Sequence, residues 1–381
     1  MKPDYLPTLD LKRNYRRVKE EIRRAVDEVL EEQAFILGPA LSAFEADVAT
    51  YLPVPHAIGC ASGSDALLLA LMLLDLKPGD EVITTPFTFF ATVSAITRLG
   101  AKAVFVDVDP HTYNMRTDQV LERLTDRTRA VVAVHLFGQM VPLETIEEEL
   151  RSRGVVLIED AAQAFGSWRF VDGTPRRAGS WGDLGCFSFF PTKNLGGCGD
   201  GGMVTCGDDG YASHLRSLRV HGSGKIYYHD EVGLNSRLDA LQAAILRVKL
   251  RHLDEWNEER RLVADRYALL FSEAGLLGDV TPPAALEGNG HIYHQYVIRC
   301  RERDALQAFL ETEGIASRVY YPLCLHLQRC FSFLGYGEGD FPAAEALSSE
   351  VLALPVFPEL TGVEQERVVE AVGRFYRSRQ S

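Results

Sequence analysis

Lysine is sparse in this 381-residue chain: eight of its 40 basic residues are lysines, and Lys193 has a setting that surface chemistry does not explain. It stands in Gly182-Asp-Leu-Gly-Cys-Phe-Ser188-Phe-Phe-Pro-Thr-Lys193-Asn-Leu-Gly-Gly-Cys-Gly, among apolar and glycine residues and outside any charge run. Burial in such a place penalises the ammonium form, lowers the pKa below about 10.4 and frees the amine as a nucleophile. A desolvated lysine amine forms Schiff bases with carbonyl groups.

Four further features cohere if Lys193 captures an aldehyde cofactor. Gly63-Ser64-Asp65 follows a short strand and opens the apolar helix Ala66-Leu-Leu-Leu-Ala-Leu-Met. Free N–H groups at a helix start bind phosphate, although Ser64 or Asp65 could equally serve as a helix cap. Val155-Val-Leu-Ile-Glu-Asp160-Ala-Ala-Gln163 is an apolar strand that ends in two acids. Ligands of open α/β sheets bind at the carboxyl ends of strands, and a buried Asp160 there needs a cationic partner such as a protonated ring nitrogen. The competing reading is an aspartate that caps the next helix. In Thr85-Pro-Phe-Thr-Phe89-Phe-Ala-Thr an aromatic ring could cover a flat heterocycle, or simply fill the core. Ser188, five residues before Lys193, is a possible hydroxyl donor to phosphate.

The elements that must carry these residues follow a βα alternation to about residue 210. Val82 to Thr85, Ala103 to Val108, Ala130 to Val134 and Val155 to Ile158 lack in/out alternation, which predicts strands buried on both faces of a mainly parallel sheet. Ile58 to Cys60, Leu184 to Phe189 and Met203 to Cys206 read as further strands. Residues 15–50 show helical spacing, with Val18, Ile22, Val26, Val29 and Leu30 on one stripe. Ser64 to Lys77, Thr88 to Leu99 and Leu143 to Arg153 read as helices between strands. One or two long helices over residues 236–275 lead to a second unit. That unit has strands at Tyr293 to Cys300 and Ser317 to Tyr321 and a closing helix from Glu364 to Tyr376.

The bulk composition narrows the function classes. At 381 residues two domains are expected, and 46% hydrophobic with 24% charged residues suits a soluble globular protein. A net charge of −13 gives no support for nucleic-acid or membrane binding. Seven cysteines without metal-ligand spacing read as reduced packing residues of a cytoplasmic protein, and no metal site is expected. The opening Met-Lys-Pro-Asp-Tyr-Leu-Pro is not a signal peptide, and no apolar run reaches the roughly 18 residues of a membrane span. A nicotinamide dehydrogenase would want Gly-x-Gly-x-x-Gly after an early strand, which is missing.

The order of the motifs resembles one family. Gly63-Ser-Asp-Ala-Leu, Thr85-Pro-Phe-Thr-Phe-Phe-Ala-Thr, Val106-Asp-Val-Asp, His135-Leu-Phe-Gly-Gln, Glu159-Asp-Ala-Ala-Gln, Ser188-Phe-Phe-Pro-Thr-Lys-Asn-Leu-Gly, Gly199-Asp-Gly-Gly-Met and Asn235-Ser-Arg-Leu-Asp-Ala-Leu-Gln-Ala-Ala are similar to the DegT/DnrJ/EryC1/StrS family. These are nucleotide-sugar aminotransferases that use pyridoxal 5'-phosphate. The resemblance implies an α/β protein of PLP-dependent transferase fold type I. Residues 1–250 would form a large cofactor-binding domain with a mainly parallel mixed sheet and an N-terminal helix, and residues 251–381 a smaller C-terminal α+β domain. It further implies that Lys193 carries the Schiff base and shuttles the proton, that Asp160 pairs with the pyridinium nitrogen and that Gln163 bonds the phenolic oxygen. Phe89 would stack on the ring, and Gly63, Ser64 and Ser188 would hold the phosphate. Asn235 would reach the phosphate in the neighbouring subunit of a homodimer with shared active sites. A sugar dehydratase of the same fold has histidine in place of the lysine, so Lys193 argues against it. A regulatory protein that only binds an amino sugar is disfavoured by Lys193, Asp160 and Gln163.

The resemblance also implies transfer from L-glutamate to a nucleotide-linked keto-sugar, for surface polysaccharide or glycoside biosynthesis. Pro-Thr-Lys193-Asn-Leu-Gly followed by Gly-Asp-Gly-Gly is similar to the branch that aminates 3-keto sugars rather than 4-keto sugars. Val232-Gly-Leu-Asn-Ser-Arg237-Leu-Asp most resembles enzymes for UDP-3-keto-N-acetylglucosaminuronate, with those for dTDP-3-keto-6-deoxyhexoses next. Arg237 could bind a sugar carboxylate or diphosphate, or pair with Asp239 or another acid. Tyr321 and His326 are expected sugar contacts in the segment from Ser317 to Gln328, where Cys324 replaces a common proline. His221-Gly-Ser-Gly-Lys225-Ile is expected to form a mobile loop near the substrate.

Overall fold

The apolar runs between residues 56 and 206 become one seven-stranded sheet in a computed structural model that describes residues 5–225 and 227–379. In chain order the first elements are α1 (Leu11–Glu32), α2 (Pro39–Tyr51), β1 (His56–Cys60), α3 (Gly63–Met72), β2 (Glu81–Thr84), α4 (Phe90–Arg98), β3 (Lys102–Phe105), α5 (Thr117–Arg123), β4 (Thr128–Val134), α6 (Glu147–Ser152) and β5 (Val156–Asp160). A hairpin, β6 (Trp168–Val171) and β7 (Thr174–Arg177), precedes β8 (Leu184–Ser188), β9 (Gly202–Cys206) and α7 (Asp209–Leu218). The strands lie in the order β1-β9-β8-β5-β4-β2-β3, and β9 alone runs against the others.

Successive residues of each strand feed opposite cores. Ile58, Val82, Phe105, Val132 and Ile158 pack under α3 and α4 with Leu69 and Val93. Ala57, Ile83, Val131, Leu157 and Phe187 pack on the other side with Leu41 and Phe44 of α2. Both faces are dry, so the strands carry no polar alternation. A ribbon, β10 (Ser223–Lys225) with β11 (Tyr228–His229), leads to α8 (Ala240–Leu250) and α9 (Leu253–Glu273).

A third core lies around β12 (Val280–Thr281), β14 (Tyr296–Cys300), α10 (Arg303–Thr312), β15 (Val351–Leu354) and α12 (Gly362–Arg377), with β13 (Asn289–Gly290) pairing back onto β6 and α11 (Pro342–Glu350) preceding β15. Leu6 joins this core and bridges Ile315, so the start of the chain packs on its last third. The two parts are stitched by Asp107, whose carboxylate accepts from Ala343 N and Ala344 N, 2.9 Å each, at the start of α11. An acid at a helix N-terminus satisfies orphan N–H groups and suits the helix dipole. That capping fixes the C-terminal part against the sheet ends.

Several boundaries differ from expectation. Gly38-Pro39 divides the helical stretch of residues 15–50 into α1 and α2, and Leu30 points to solvent. The helix expected to run to Lys77 stops at Met72, before Asp75 takes a φ of 44°. The helix expected from Leu143 is a 3-10 turn followed by the short α6. Ser317 to Tyr321 is not a strand; it makes one bridge, Arg318 to Ala353, and Pro322 beyond it has no N–H for a ladder. The segment expected as a mobile loop contains β10, with Ser223 and Lys225 paired to His229 and Tyr228; its Ile226 lies outside the described residues, as do Met1 to Asp4 of the opening segment. All seven cysteines are unpaired, and Cys198 and Cys330 are exposed.

Candidate active site

The two acids that end β5 point to opposite sides of the sheet, as strand geometry requires. Asp160 is nearly buried, and its Oδ2 accepts from Thr92 Oγ1 of α4 at 2.8 Å. Its Oδ1 receives only a long bond from Ala162 N, 3.3 Å. Burial pushes the carboxyl pKa up; Thr92, the Ala162 N–H, Lys193 and His135 pull the other way. Thr88 Oγ1 lies 3.3 Å from Thr92 Oγ1, so the two threonines form a short chain to the carboxylate.

Glu159 turns into the other core. It accepts from Gly179 N, Trp181 N and Gly182 N at 2.7–2.8 Å and lies 2.8 Å from His135 Nε2. His135 Nδ1 accepts from Val141 N, which places the ring proton on Nε2, where it donates to Glu159.

Lys193 rides on the turn after β8. Its N–H donates to Phe190 O, and Gly197 N returns to Phe189 O, 2.8 Å each. At Gly196 a Cβ would sit 2.4 Å from Pro191 O, so only glycine closes this turn. Lys249 Nζ holds the turn from α8 through Gly196 O at 2.6 Å. Asn194 is fixed by Asn257 Oδ1 at 2.7 Å and by His294 Nδ1 at 3.1 Å. Burial lowers the Lys193 amine to about 8, opposed by the charge of Asp160. Half the amine is then unprotonated near pH 8, the state that attacks a carbonyl.

At the start of α3 the cap is Ser62, whose Oγ accepts from Asp65 N at 3.1 Å; neither Ser64 nor Asp65 fills that role. Ser64 is exposed, and the N–H groups of Gly63 and Ser64 find no acceptor among the described residues. A Cβ on Gly63 would lie 2.5 Å from Ser188 Cβ, so the glycine lets the helix start and the end of β8 meet. Ser236 Oγ donates to Asp65 Oδ2 at 2.7 Å and accepts from Ala61 N, which ties the segment of Asn235 and Arg237 to the same corner. Asn235 is exposed, and Arg237 is half-buried with no ion pair to Asp239 or any other acid among the described residues.

Gln163 has its amide fixed at both ends: Oε1 accepts from Phe137 N at 2.7 Å, and Nε2 donates to Tyr321 OH at 3.0 Å. The Tyr321 ring lies 6.2 Å from Phe87 and 6.4 Å from Phe89, whose own ring is largely exposed beside α4. Burial raises the Tyr321 phenol pKa, so it remains a donor. His326, expected as a sugar contact, is placed otherwise. The 3-10 turn Leu325–Leu327 directs its ring inward between Phe105 and Phe341, with Nε2 3.1 Å from Glu345 and no side-chain exposure. Thr92 and Thr88 carry no sequence signal beyond their place in the Thr85 motif; Thr88 lies just before α4 and Thr92 in its first turn. Sequence reasoning passes over them and over His294, which has no local motif.

Among the described residues, an amine of lowered basicity, a buried carboxylate with no cation bonded to it and two N–H groups without an acceptor beside a serine make a coherent donor set. They fit a flat aldehyde with a basic ring nitrogen and a phosphate tail.

The chain belongs to the DegT/DnrJ/EryC1/StrS aminotransferase family, whose model matches residues 16–373. A Geobacillus stearothermophilus protein named pleiotropic regulatory protein is 50% identical over 98% of this chain and 99% of its own length. The UDP-N-acetyl-3-dehydro-alpha-D-glucosamine 3-aminotransferase of Acidithiobacillus ferrooxidans is 43% identical over 97% of both chains. The crystal structure of NtdA from Bacillus subtilis, with its cofactor PMP bound, superposes with a TM-score of 0.89 at 30% identity, covering 99% of this chain and 86% of that one.

Proposed function

We propose that this member of the aminotransferase family moves an amino group from L-glutamate to C3 of a nucleotide-linked 3-keto sugar, either UDP-3-keto-N-acetylglucosaminuronate or a dTDP-3-keto-6-deoxyhexose. A sugar aminotransferase dependent on pyridoxal 5'-phosphate is what the family and its relatives support. The observation that carries the reading is the pairing of Lys193, with its lowered pKa, and the buried Asp160.

When bound, the cofactor supplies an aldehyde for imine exchange and a ring that takes up the electrons left by a departing proton. In this reading the chain's residues do the rest. Lys193 Nζ would hold the cofactor through its aldehyde; once the donor's amino group displaces it, the freed amine would take the proton from the donor's α-carbon and return one to the sugar carbon. Asp160 keeps the ring nitrogen protonated. Gln163, its amide oxygen held by Phe137 N, would offer the phenolic oxygen the Nε2 hydrogen not given to Tyr321. Phe89 covers the ring. Gly63, Ser64 and Ser188 receive the phosphate. Tyr321 and Arg237 would stand toward the sugar nucleotide, Arg237 with no ion pair among the described residues and so available to an anion. Asn235, exposed at the surface, serves the phosphate of a second copy, which makes the working form a homodimer with shared sites. Residues 1–250 act as the cofactor domain and residues 251–381 as the smaller one. The reading places the protein in the cytoplasm; among the described residues no helix is long and apolar enough to cross a membrane.

A panel of UDP- and dTDP-linked 3-keto and 4-keto sugars with glutamate tests the reaction, with the aminated carbon assigned by NMR. Nitrogen at C4 alone overturns the regiochemistry. Lys193→Ala should abolish turnover and leave no cofactor trapped by borohydride on the chain; full activity overturns its role. The name of the Geobacillus relative favours a regulatory reading. That reading predicts no conversion of bound cofactor to its amine form by glutamate.

A further inference from the structure

The carboxylate of Asp160 is poorly served for a buried charge. Oδ1 has the 3.3 Å bond from Ala162 N, and Oδ2 has the 2.8 Å bond from Thr92. Both Thr92 and Thr88 are buried, at 1% and 2% exposure, so water does not compete for their hydroxyls. An ionised carboxylate only accepts, so the proton of Thr92 Oγ1 must point at Asp160. Thr92 Oγ1 can then only accept from its neighbour, which directs the Thr88 proton toward Thr92. With Asp160 ionised, the direction therefore runs from Thr88 to Thr92 to Asp160, and each bond polarises the next.

Resting on the cofactor reading above, we propose that Thr92 is a positioning residue: its hydroxyl, backed by Thr88, holds the Asp160 carboxylate charged and aimed at the ring nitrogen. Threonines normally turn such hydroxyls onto the carbonyl four residues back in their own helix. Thr92, in the first turn of α4, instead reaches across to the end of β5. The titratable side chains on the Asp160 side are Lys193, Cys186 and Tyr321, while the His135 ring lies with Glu159 on the other side of the strand. Of these only the Lys193 cation can favour the carboxylate strongly, and its charge comes and goes as its nitrogen is bound, released and made to carry the proton. Among the described residues Thr92 is the one side-chain donor to Asp160, and its hydroxyl does not change charge through the reaction.

The test titrates Asp160 in cofactor-free protein by carboxyl 13C NMR, with Asp160→Asn assigning the resonance. In Thr92→Val the Asp160 midpoint should move up by about one to two pH units, the equivalent of a hydrogen bond to a charged group. Thr92→Ser should titrate as the parent does, and Thr88→Val should move it in the same direction by less. In protein loaded with 15N-labelled pyridoxal phosphate, Thr92→Val should move the ring-nitrogen resonance toward unprotonated pyridine. In the same variant kcat should fall about 10–100-fold with KM for the sugar little changed. An Asp160 midpoint in Thr92→Val equal to the parent's overturns the proposal, whatever the cofactor does. If Thr92→Val does not fold, a parent-like midpoint in Thr88→Val overturns the relay. Failure of the parent protein to take up the labelled cofactor refutes the functional reading instead, and leaves the carboxyl titration to decide the role of Thr92.

Discussion

Glu159 and Asp160 are neighbours on one strand, both nearly or wholly buried, yet their surroundings are opposite. Glu159 faces the core shared with α2 and receives three backbone N–H groups and the His135 Nε2 proton. Asp160 faces the α4 side and receives one hydroxyl and one long amide bond. A fully bonded buried carboxylate is scaffold: it folds the turn at Gly179 to Gly182 under the sheet. An under-bonded one keeps acceptor capacity in reserve, and burial of that kind marks functional sites. The difference comes from the two-residue period of the strand, which sends adjacent side chains into different chemistry.

The largest effect that separates the two acids is on rate. Asp160→Asn should cost roughly 10²–10⁴ in turnover, a general acid–base scale, while cofactor-free stability holds or rises. Retained turnover, or a loss of stability in denaturant titration, breaks the contrast. The pH dependence follows from the raised Asp160 pKa. A folded-state pKa above the unfolded value of 3.8 means the charged form opposes folding. The penalty is absent below that value and grows as pH rises toward the folded pKa. Urea midpoints of cofactor-free protein across that interval should lose this slope in Asp160→Asn.

Glu159→Ala should act on stability instead. Leaving two buried N–H groups, the half-buried one of Gly182 and a histidine donor without an acceptor should cost about 3–5 kcal/mol, the scale for removing one partner of a buried charged network. A change under about 1 kcal/mol in urea unfolding would place Glu159 outside the scaffold.

Glu364 gives the smallest and most exposed term. Arg13 of α1 grips it with both nitrogens, and the carboxyl also takes the Thr361 N–H in a capping box at α12. These bonds, Arg13 first, depress its pKa to about 2. Its stabilisation is complete above the usual 4.5 and disappears as pH falls toward 2. Solvent screening limits it to about 1 kcal/mol. Glu364→Gln should therefore lower the thermal midpoint slightly at pH 7 and not at pH 2.

Much of this protein is legible in its residues. Val82 to Thr85 and Ala130 to Val134 announce doubly buried strands because both faces of the sheet are covered, and Lys193 stands out because charge is rare amid glycines and aromatics. Family membership follows from motif order, which no single contact sets. The end of the Ser64 helix and the supposed strand at Ser317 were misread because a short apolar run fits several local conformations until neighbours decide. His326 shows a related limit: a histidine in a mixed segment can face either way, and the turn at Leu325 sends its ring to Glu345.

Residue types and their order along the chain determined the sheet, the amine and the two acids, because periodicity and covalent chemistry are local properties. Only the packed chain decided which acid is satisfied and which is left wanting, that the Thr92 hydroxyl reaches Asp160, and that burial lowers the Lys193 amine to about 8. Those depend on which groups arrive from distant segments and on how much water they exclude, and neither is encoded in spacing.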